Sequence, residues 1–527
     1  MEVGDHQVAH RATLYLTVFV GGMTTLAVEL AASRLLAPFF GTSLLIWANL
    51  IGLILIYLTA GYYLGGRLAD RFPQPEVLYQ ITAWAGFLIG LVPFVAQPIL
   101  RASIVALTNV SAGLFLGSLF GVIALFAVPV VLLGTVSPFA IRLSVREVAT
   151  AGNVAGGLYA LSTLGSILGT FVPVLVLIPT VGTRRTFLLF SVALLVTSLI
   201  GLVQARPRLA LAYSALLLAV AGLGVFGSGG LIKAASGVVY EGESPYHYIQ
   251  VLERNGTRYL TLNEGQAVHS VYHPGTVLTN GVWDFFLLAP LFTPADSLPH
   301  ERGGTGVGAS EPDVRNLALI GLAGGTIAWQ YTAAYGPIPI DGVEIDPQVV
   351  EVGRRYFGMN EPNLNVVVAD GRTWLATAPG RYDVIGIDAY RQPYVPFHLT
   401  TVEFFRDVRD HLTDNGVAVI NVVRTDRDLR LVDALASTMR RVFANVYVID
   451  VPDVFNSLVI GTVQPSSLTN YADNVTRLRN PLLLNVAQRA AGHVREFRGT
   501  GPVFTDDLAP VEEMVDQMIL NYVQNGQ

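Results

Sequence analysis

The chain has 527 residues, 52% of them hydrophobic and only 14% charged, where a soluble protein of this size carries roughly 25%. Residues 1–236 hold 12 basic and 6 acidic side chains, net +6, which leaves 21 basic and 33 acidic in 237–527, net −12. A single soluble globule is excluded; a multi-pass part in a lipid bilayer, followed by an acidic, water-facing part, is expected.

Two absences narrow the chemistry further. There is no Cys, so disulfides, thiolate metal sites and iron–sulfur clusters are excluded, and no metal ligand set is expected. Lys233 is the only lysine, and it lies outside any Gly-rich phosphate loop or Schiff-base context. No strongly basic tract points to a nucleic-acid partner.

Stretches of about 20 apolar residues predict membrane spans at 13–37, 44–66, 77–98, 112–136, 155–179, 186–204 and 209–231. That is an α-helical bundle of seven spans over 1–236. An eighth stays open, because residues 102–141 run 40 positions without a charge, roughly 60 Å as helix. With seven spans, Arg11, Arg67, Arg71, Arg142, Arg146, Arg206 and Arg208 share the N-terminal side, which by the positive-inside rule puts the acidic part outside; with eight that bias nearly vanishes. Glu29 and Arg34 fall within or at the end of the first span, where a charge marks either a polar site in the bundle or a structural ion pair. Gly156, Gly157, Gly165 and Gly169 suggest close helix packing.

Residues 237–292 read as a small β module: Val238–Tyr240, Tyr248–Glu253 and Arg258–Asn263 carry β-formers, and Asn255-Gly256 signals a hairpin turn. Residues 293–316, rich in Pro, Gly, Ser and charge, read as a mobile surface loop. From 317 to 527 strands alternate with helices. Strands are expected at 317–321, 339–345, 365–369, 382–388, 416–423, 444–450 and 457–462, with helices at 347–357, 400–413 and 427–442. This is a doubly wound, Rossmann-like α/β domain, whose ligand site lies at the C-terminal strand ends.

Four successive strand ends carry the chemistry. The first is Ile320-Gly321-Leu322-Ala323-Gly324-Gly325, where small residues let backbone approach a ligand. The second ends in Glu344-Ile345-Asp346, an acid placed to accept from ribose hydroxyls. The third ends in Ala369-Asp370-Gly371 and the fourth in Ile387-Asp388-Ala389-Tyr390. Each alone suits a turn or a helix cap; together they point to an adenosine ligand. With no basic phosphate loop, that ligand is a nucleoside without phosphates, and acidic walls favour a cationic sulfonium.

Residues 237–465 resemble the spermidine synthase (polyamine aminopropyltransferase) family in Ser244-Pro245-Tyr246-His247-Tyr248-Ile249, Leu262-Asn263-Glu264-Gly265-Gln266, Gly321–Gly325, Glu344-Ile345-Asp346, Ala369-Asp370-Gly371 and Tyr382–Asp388. The whole chain is similar to its bacterial membrane form. The resemblance implies a methyltransferase-like fold and transfer of an aminopropyl group from decarboxylated S-adenosylmethionine, a co-substrate and not a resident cofactor, to a diamine such as putrescine. It implies that Gly321 and Gly325 shape the donor loop, Glu344 takes the ribose and Asp370 the adenine. Gln266 and Tyr246 would border the sulfonium, with Asp388 in the site. It allows a homodimer and, because the donor is cytosolic, a cytoplasmic soluble domain on a cell-membrane anchor.

Three departures bear on mechanism. Gly324 stands where the family's loop has an Asp that grips the donor amine. Arg391 stands where the family has the Asp that binds and deprotonates the acceptor; an Arg is no base at neutral pH. Val282-Trp283-Asp284 replaces a Tyr-His-Glu. The remaining candidate bases are Asp388, Asp284 and His398, although His398 also suits a capping role. Asp506 or Glu512 could line the acceptor site, or Asp506 could cap the last helix. Two other readings remain: a different transfer from S-adenosylmethionine itself, and a non-catalytic nucleoside- or polyamine-binding or transport-linked module.

Overall fold

The structure, a computed structural model, describes residues 2–40, 44–107, 113–227, 235–263, 267–294, 313–391 and 393–525. Lys233, Gln266 and most of the expected loop at 293–316 therefore lie outside the described residues. The chain divides into two compact units: Met1–Ala235 with Glu241–Tyr248, and Ser236–Tyr240 with Ile249–Gln527.

The first unit is helical: α1 (Glu2–Phe40), α2 (Leu44–Arg71), α3 (Pro75–Leu107), α4 (Gly113–Gly134), α5 (Val136–Ser144), α6 (Ala151–Val172), α7 (Ile178–Ala205) and α8 (Pro207–Phe226). Among the described residues, six stretches are long and apolar enough to cross a membrane: His10–Ala37, Ile46–Arg71, Pro75–Leu100, Leu116–Ser144, Val148–Ala205 and Pro207–Phe226. The seven expected segments fall in six stretches, because those expected at 155–179 and 186–204 lie in one 58-residue stretch. A π-helical turn at Pro173–Leu177 joins α6 to α7, and Gly182, at φ 83° and ψ 165°, interrupts the helix.

Lipid tails are as apolar as leucine, so helices in a bilayer associate by close packing of small residues, not by hydrophobic exclusion. Here α6 lies against α1 at two glycines. A Cβ on Gly165 would stand 2.1 Å from the Phe19 carbonyl oxygen, and one on Gly169 would stand 2.0 Å from that of Met23. Gly156 and Gly157 face open space instead. Between α2 and the segment before α5, a Cβ on Gly65 would meet Thr135 Cα at 2.6 Å, and Asp70 pairs with Arg142 at 2.9 Å. Glu29 is half-buried and has no ion-pair partner among the described residues. The charge of Arg34 acts instead on Glu243, whose carboxylate accepts from Thr183 N and Oγ1 at 2.7 and 2.8 Å.

The second unit opens with a sheet in the order β1 (Val238–Glu243), β2 (Tyr248–Arg254), β3 (Thr257–Leu262), β4 (Val268–Tyr272). Asn255 and Gly256, at φ 52° and 76°, make the β2–β3 turn, the left-handed pair that an Asn-Gly hairpin favours. The short helix α9 (Val282–Phe286) follows. The main domain then runs β5 (Leu317–Ile320), α10 (Thr326–Tyr335), β6 (Ile340–Glu344), α11 (Pro347–Tyr356), β7 (Leu364–Val368), α12 (Gly371–Leu375), β8 (Tyr382–Ile387), α13 (Val402–Asp410), β9 (Leu412–Val423), α14 (Arg430–Met439), β10 (Asn445–Asp450), β11 (Asn456–Thr462), α15 (Leu468–Arg477), α16 (Pro481–Ala490), β12 (Val494–Glu496) and α17 (Val511–Asn525).

Its eight strands lie in the order β12-β10-β11-β9-β8-β5-β6-β7. From β9 to β7 neighbours are parallel; β11, β10 and β12 add antiparallel pairs. Apolar residues cover both faces. Leu317, Leu319, Val417 and Val419 belong to one core, and Ala318, Ile320, Ala418 and Ile420 to the other. Continuous burial of this kind is what a parallel sheet needs, and each fully buried large apolar side chain contributes about 1.5–3 kcal/mol.

Because backbone, not a flexible side chain, opposes Gly165, we expect Gly165→Ala to destabilise the helical unit by about 1–3 kcal/mol. Gly156→Ala should leave it unchanged. Thermal unfolding of the purified protein in detergent checks the pair, and equal melting temperatures would contradict this packing.

Candidate active site

Parallel strands place their C-terminal ends side by side, so β8, β5, β6 and β7 bring Asp388, Gly321, Glu344 and Asp370 to one edge of the sheet. The chain leaves β5 through a left-handed turn, with Gly321 at φ 89°, Ala323 at 48° and Gly325 at 86°. A Cβ on Gly321 would lie 2.6 Å from the Asp388 carbonyl and the Ala389 nitrogen, so only glycine permits this approach. Gly324 N donates to Ser270 Oγ at 2.8 Å, which ties the turn to β4. Gly325 precedes the first turn of α10.

Glu344 is buried. Its Oε2 accepts from Ala323 N at 2.9 Å and its Oε1 from Asp346 N at 3.1 Å. A carboxylate offers about four acceptor positions, so these contacts orient it and leave acceptor capacity for a diol. Asp346 caps α11 by accepting from Gln348 N. Asp370 likewise caps α12 through Thr373 N at 2.9 Å, and its Oδ2 contacts His398 Nε2 at 3.2 Å. Burial pushes the Asp370 carboxyl up, but Thr373 and His398 outweigh it and hold it below the usual carboxylate range.

Asp388 is held differently. It is half-buried, with Oδ1 accepting from Asn421 Nδ2 at 2.8 Å and Oδ2 from Trp283 Nε1 at 3.1 Å. Both donors are neutral. Desolvation outweighs them and pushes the carboxyl up to about 7, the range suited to proton transfer at neutral pH.

The other two candidate bases stand elsewhere. Asp284 is completely buried and accepts from Thr279 N and Oγ1, Asn280 N and Gln330 Nε2 at 2.7–2.9 Å. It also pairs with Arg489 at 2.6 Å. Its oxygens are committed to holding the 279–284 turn. His398 joins Asp370 at the end of β7, three strand spacings from β8, roughly 14 Å across the sheet. Tyr246 is exposed and belongs to the helical unit. Arg391 is exposed, its backbone bridged to Tyr394. Asp506 accepts both Nη atoms of Arg372 at 2.7 Å and the Thr401 hydroxyl at 2.7 Å; it is a clasp between loops, not a cap on α17. Asn421 and Asn456 were not singled out from the sequence. The signal was one polar residue inside the apolar run Val417–Val423, read there only as strand.

This arrangement defines a Rossmann-like α/β domain with acids at the C-terminal ends of its strands. Residues 312–471 match the family model described as the Spermine/spermidine synthase domain. It is 32% identical over 307 residues to a "Probable polyamine aminopropyl transferase" of Bifidobacterium longum (strain NCC 2705), covering 54% of this chain and 64% of that protein. It is 33% identical over 153 residues to a "Polyamine aminopropyltransferase" of Vibrio vulnificus (strain CMCP6), covering 28% and 50%. The chain thus spans about half to two thirds of these relatives' own length. Among solved structures, a probable spermidine synthase from Corynebacterium glutamicum ATCC 13032 is similar at a TM-score of 0.38 and 18% identity, over 53% of this chain and 99% of that one.

Removing a partner from a buried charge pair costs about 3–5 kcal/mol. We therefore expect Asp284→Ala to lower stability by that order. Chemical denaturation read by Trp fluorescence checks it; a loss under about 1 kcal/mol would show that the pair contributes no more than a surface one.

Proposed function

We propose that the chain transfers an aminopropyl group from decarboxylated S-adenosylmethionine to an amine acceptor such as putrescine, with Asp388 as general base. The observation that carries this reading is a carboxyl pushed up to about 7, beside a glycine turn and two strand spacings from the Glu344 that suits a ribose. The acceptor nitrogen attacks the carbon attached to sulfur. The C–N bond forms as the C–S bond breaks, and that electron pair returns to sulfur. Methylthioadenosine leaves as a neutral thioether, and the proton of the new ammonium passes to Asp388. Glu344 takes the ribose hydroxyls, Asp370 the adenine side, and His398 steadies Asp370. Gly321 and Gly325 shape the donor turn.

The helical unit serves as the membrane anchor. Gly182 divides the 58-residue stretch, whose roughly 87 Å as helix exceeds two hydrocarbon thicknesses of about 30 Å, so we read seven crossings. The donor is a cytosolic metabolite, and the soluble unit accordingly belongs in the cytoplasm, against the bias of the arginines.

Purified protein given putrescine and the decarboxylated donor should yield spermidine and methylthioadenosine by mass spectrometry. Asp388→Asn should lower kcat by about 10²–10⁴-fold while donor binding persists. Donor binding with no product from any diamine, or turnover only with S-adenosylmethionine, would overturn the reading. In wild type, kcat should fall about tenfold per pH unit below about 7, as Asp388 takes a proton. The linked stability has the opposite sense. A raised folded-state value favours the fold below about pH 4, and this contribution is lost as pH rises through about 7. The stability difference between wild type and Asp388→Asn should therefore shrink or reverse over that window.

A reporter fused after Gln527 should show cytoplasmic activity. A periplasmic signal would remove access to the donor and overturn the placement.

A further inference from the structure

Asp388 does not stand alone at its strand end. Asn421 Nδ2 donates to Asp388 Oδ1 at 2.8 Å, and Asn456 Nδ2 donates to Asn421 Oδ1 at 2.9 Å. The Tyr390 hydroxyl donates to the Asn421 carbonyl at 3.0 Å. The three side chains step across β8, β9 and β11, which are neighbours in the sheet. Asn421 is buried. An amide has no preferred face of its own, but the Asn456 donor requires Asn421 to present its oxygen to β11 and its NH₂ to β8. On the opposite side Trp283 of α9 donates to Oδ2.

We propose that Asn421, oriented by Asn456, is a positioning residue which, with Trp283, aims the Asp388 carboxylate at the acceptor nitrogen and sets the pH at which it works. This rests on the aminopropyl-transfer reading of the site. Two neutral donors stabilise the anion without cancelling its charge. A cation in their place would hold the carboxyl ionised and too weak a base; apolar neighbours would keep it protonated through neutral pH. The phenol of Tyr390 is the titratable side chain that senses Asp388, and burial, followed by the Asp388 charge, pushes it well above its usual range. Asp284, on the same helix as Trp283, is committed to Arg489.

The test uses the full-length protein in detergent. The Asp388 carboxyl is titrated by infrared difference spectroscopy, with Asp388→Asn as the reference that identifies its C=O band, and kcat is followed against pH in parallel. Loss of one hydrogen bond to a charged group should raise the Asp388 midpoint by about one pH unit in Asn421→Ala. Asn456→Ala, which reaches Asp388 through Asn421 and through the Tyr390 hydroxyl, should raise it by less in the same direction, and Trp283→Phe should raise it as well. The acid limb of kcat should move with each midpoint while donor affinity stays within about twofold of wild type. A uniform drop in kcat with an unmoved midpoint would mean a merely structural role and overturn the proposal, as would an unmoved midpoint in a folded Asn456→Ala if Asn421→Ala fails to fold. The infrared midpoint needs no turnover, so absence of aminopropyl product with shifted midpoints would count against the reaction alone.

Discussion

The active edge depends on one steric constraint. The chain must leave β5 in a left-handed turn that lets Gly321 touch the backbone of Asp388, with no room for a Cβ at 2.6 Å. That contact joins the donor turn to the end of β8. The same turn delivers Ala323 N to Glu344 and Gly324 N to Ser270. One glycine therefore brings Glu344, the turn and Asp388 into a single edge. A larger residue would have to push apart strands that are buried on both faces.

The acids of this edge have the same side-chain chemistry and different surroundings. Asp370 accepts from a helix N-terminus and a histidine and is held below the usual range. Asp388 accepts from neutral donors in a desolvated recess and is pushed up to about 7. Asp284 carries a cationic partner and four hydrogen bonds, and so acts as a strut. Environment alone sets these three carboxyls apart, and only Asp388 is pushed up to about 7.

The helical unit follows different physics. Its helices meet where Gly165 and Gly169 admit the backbone of α1, and its one continuous 58-residue stretch is turned at Gly182. Glu243 reaches the nitrogen and hydroxyl of Thr183, directly after that glycine. A carboxylate at a helix N-terminus is favoured by the exposed amides and the helix dipole. The break in the helix thus gains an acceptor for the amides it frees.

Composition and periodicity alone determined the division into an apolar and an acidic part, the alternation of strands and helices, and the acids that end them. These are properties of short segments: apolar runs of fixed length, β-formers between turn residues, and an acid or glycine where a strand must stop. The sequence separated apolar runs at 155–179 and 186–204, but apolar composition alone does not show that the helix is interrupted at Gly182 itself. Nor did residue type separate Asp284 from Asp388, two carboxyls that differ only in what surrounds them, or place His398. Their roles were decided by neighbours distant in sequence: Arg489 for Asp284, Asp370 for His398, and Trp283 with Asn421 for Asp388. Hydrogen bonding and desolvation act through space, so a group's acidity belongs to the folded neighbourhood and not to the sequence around it.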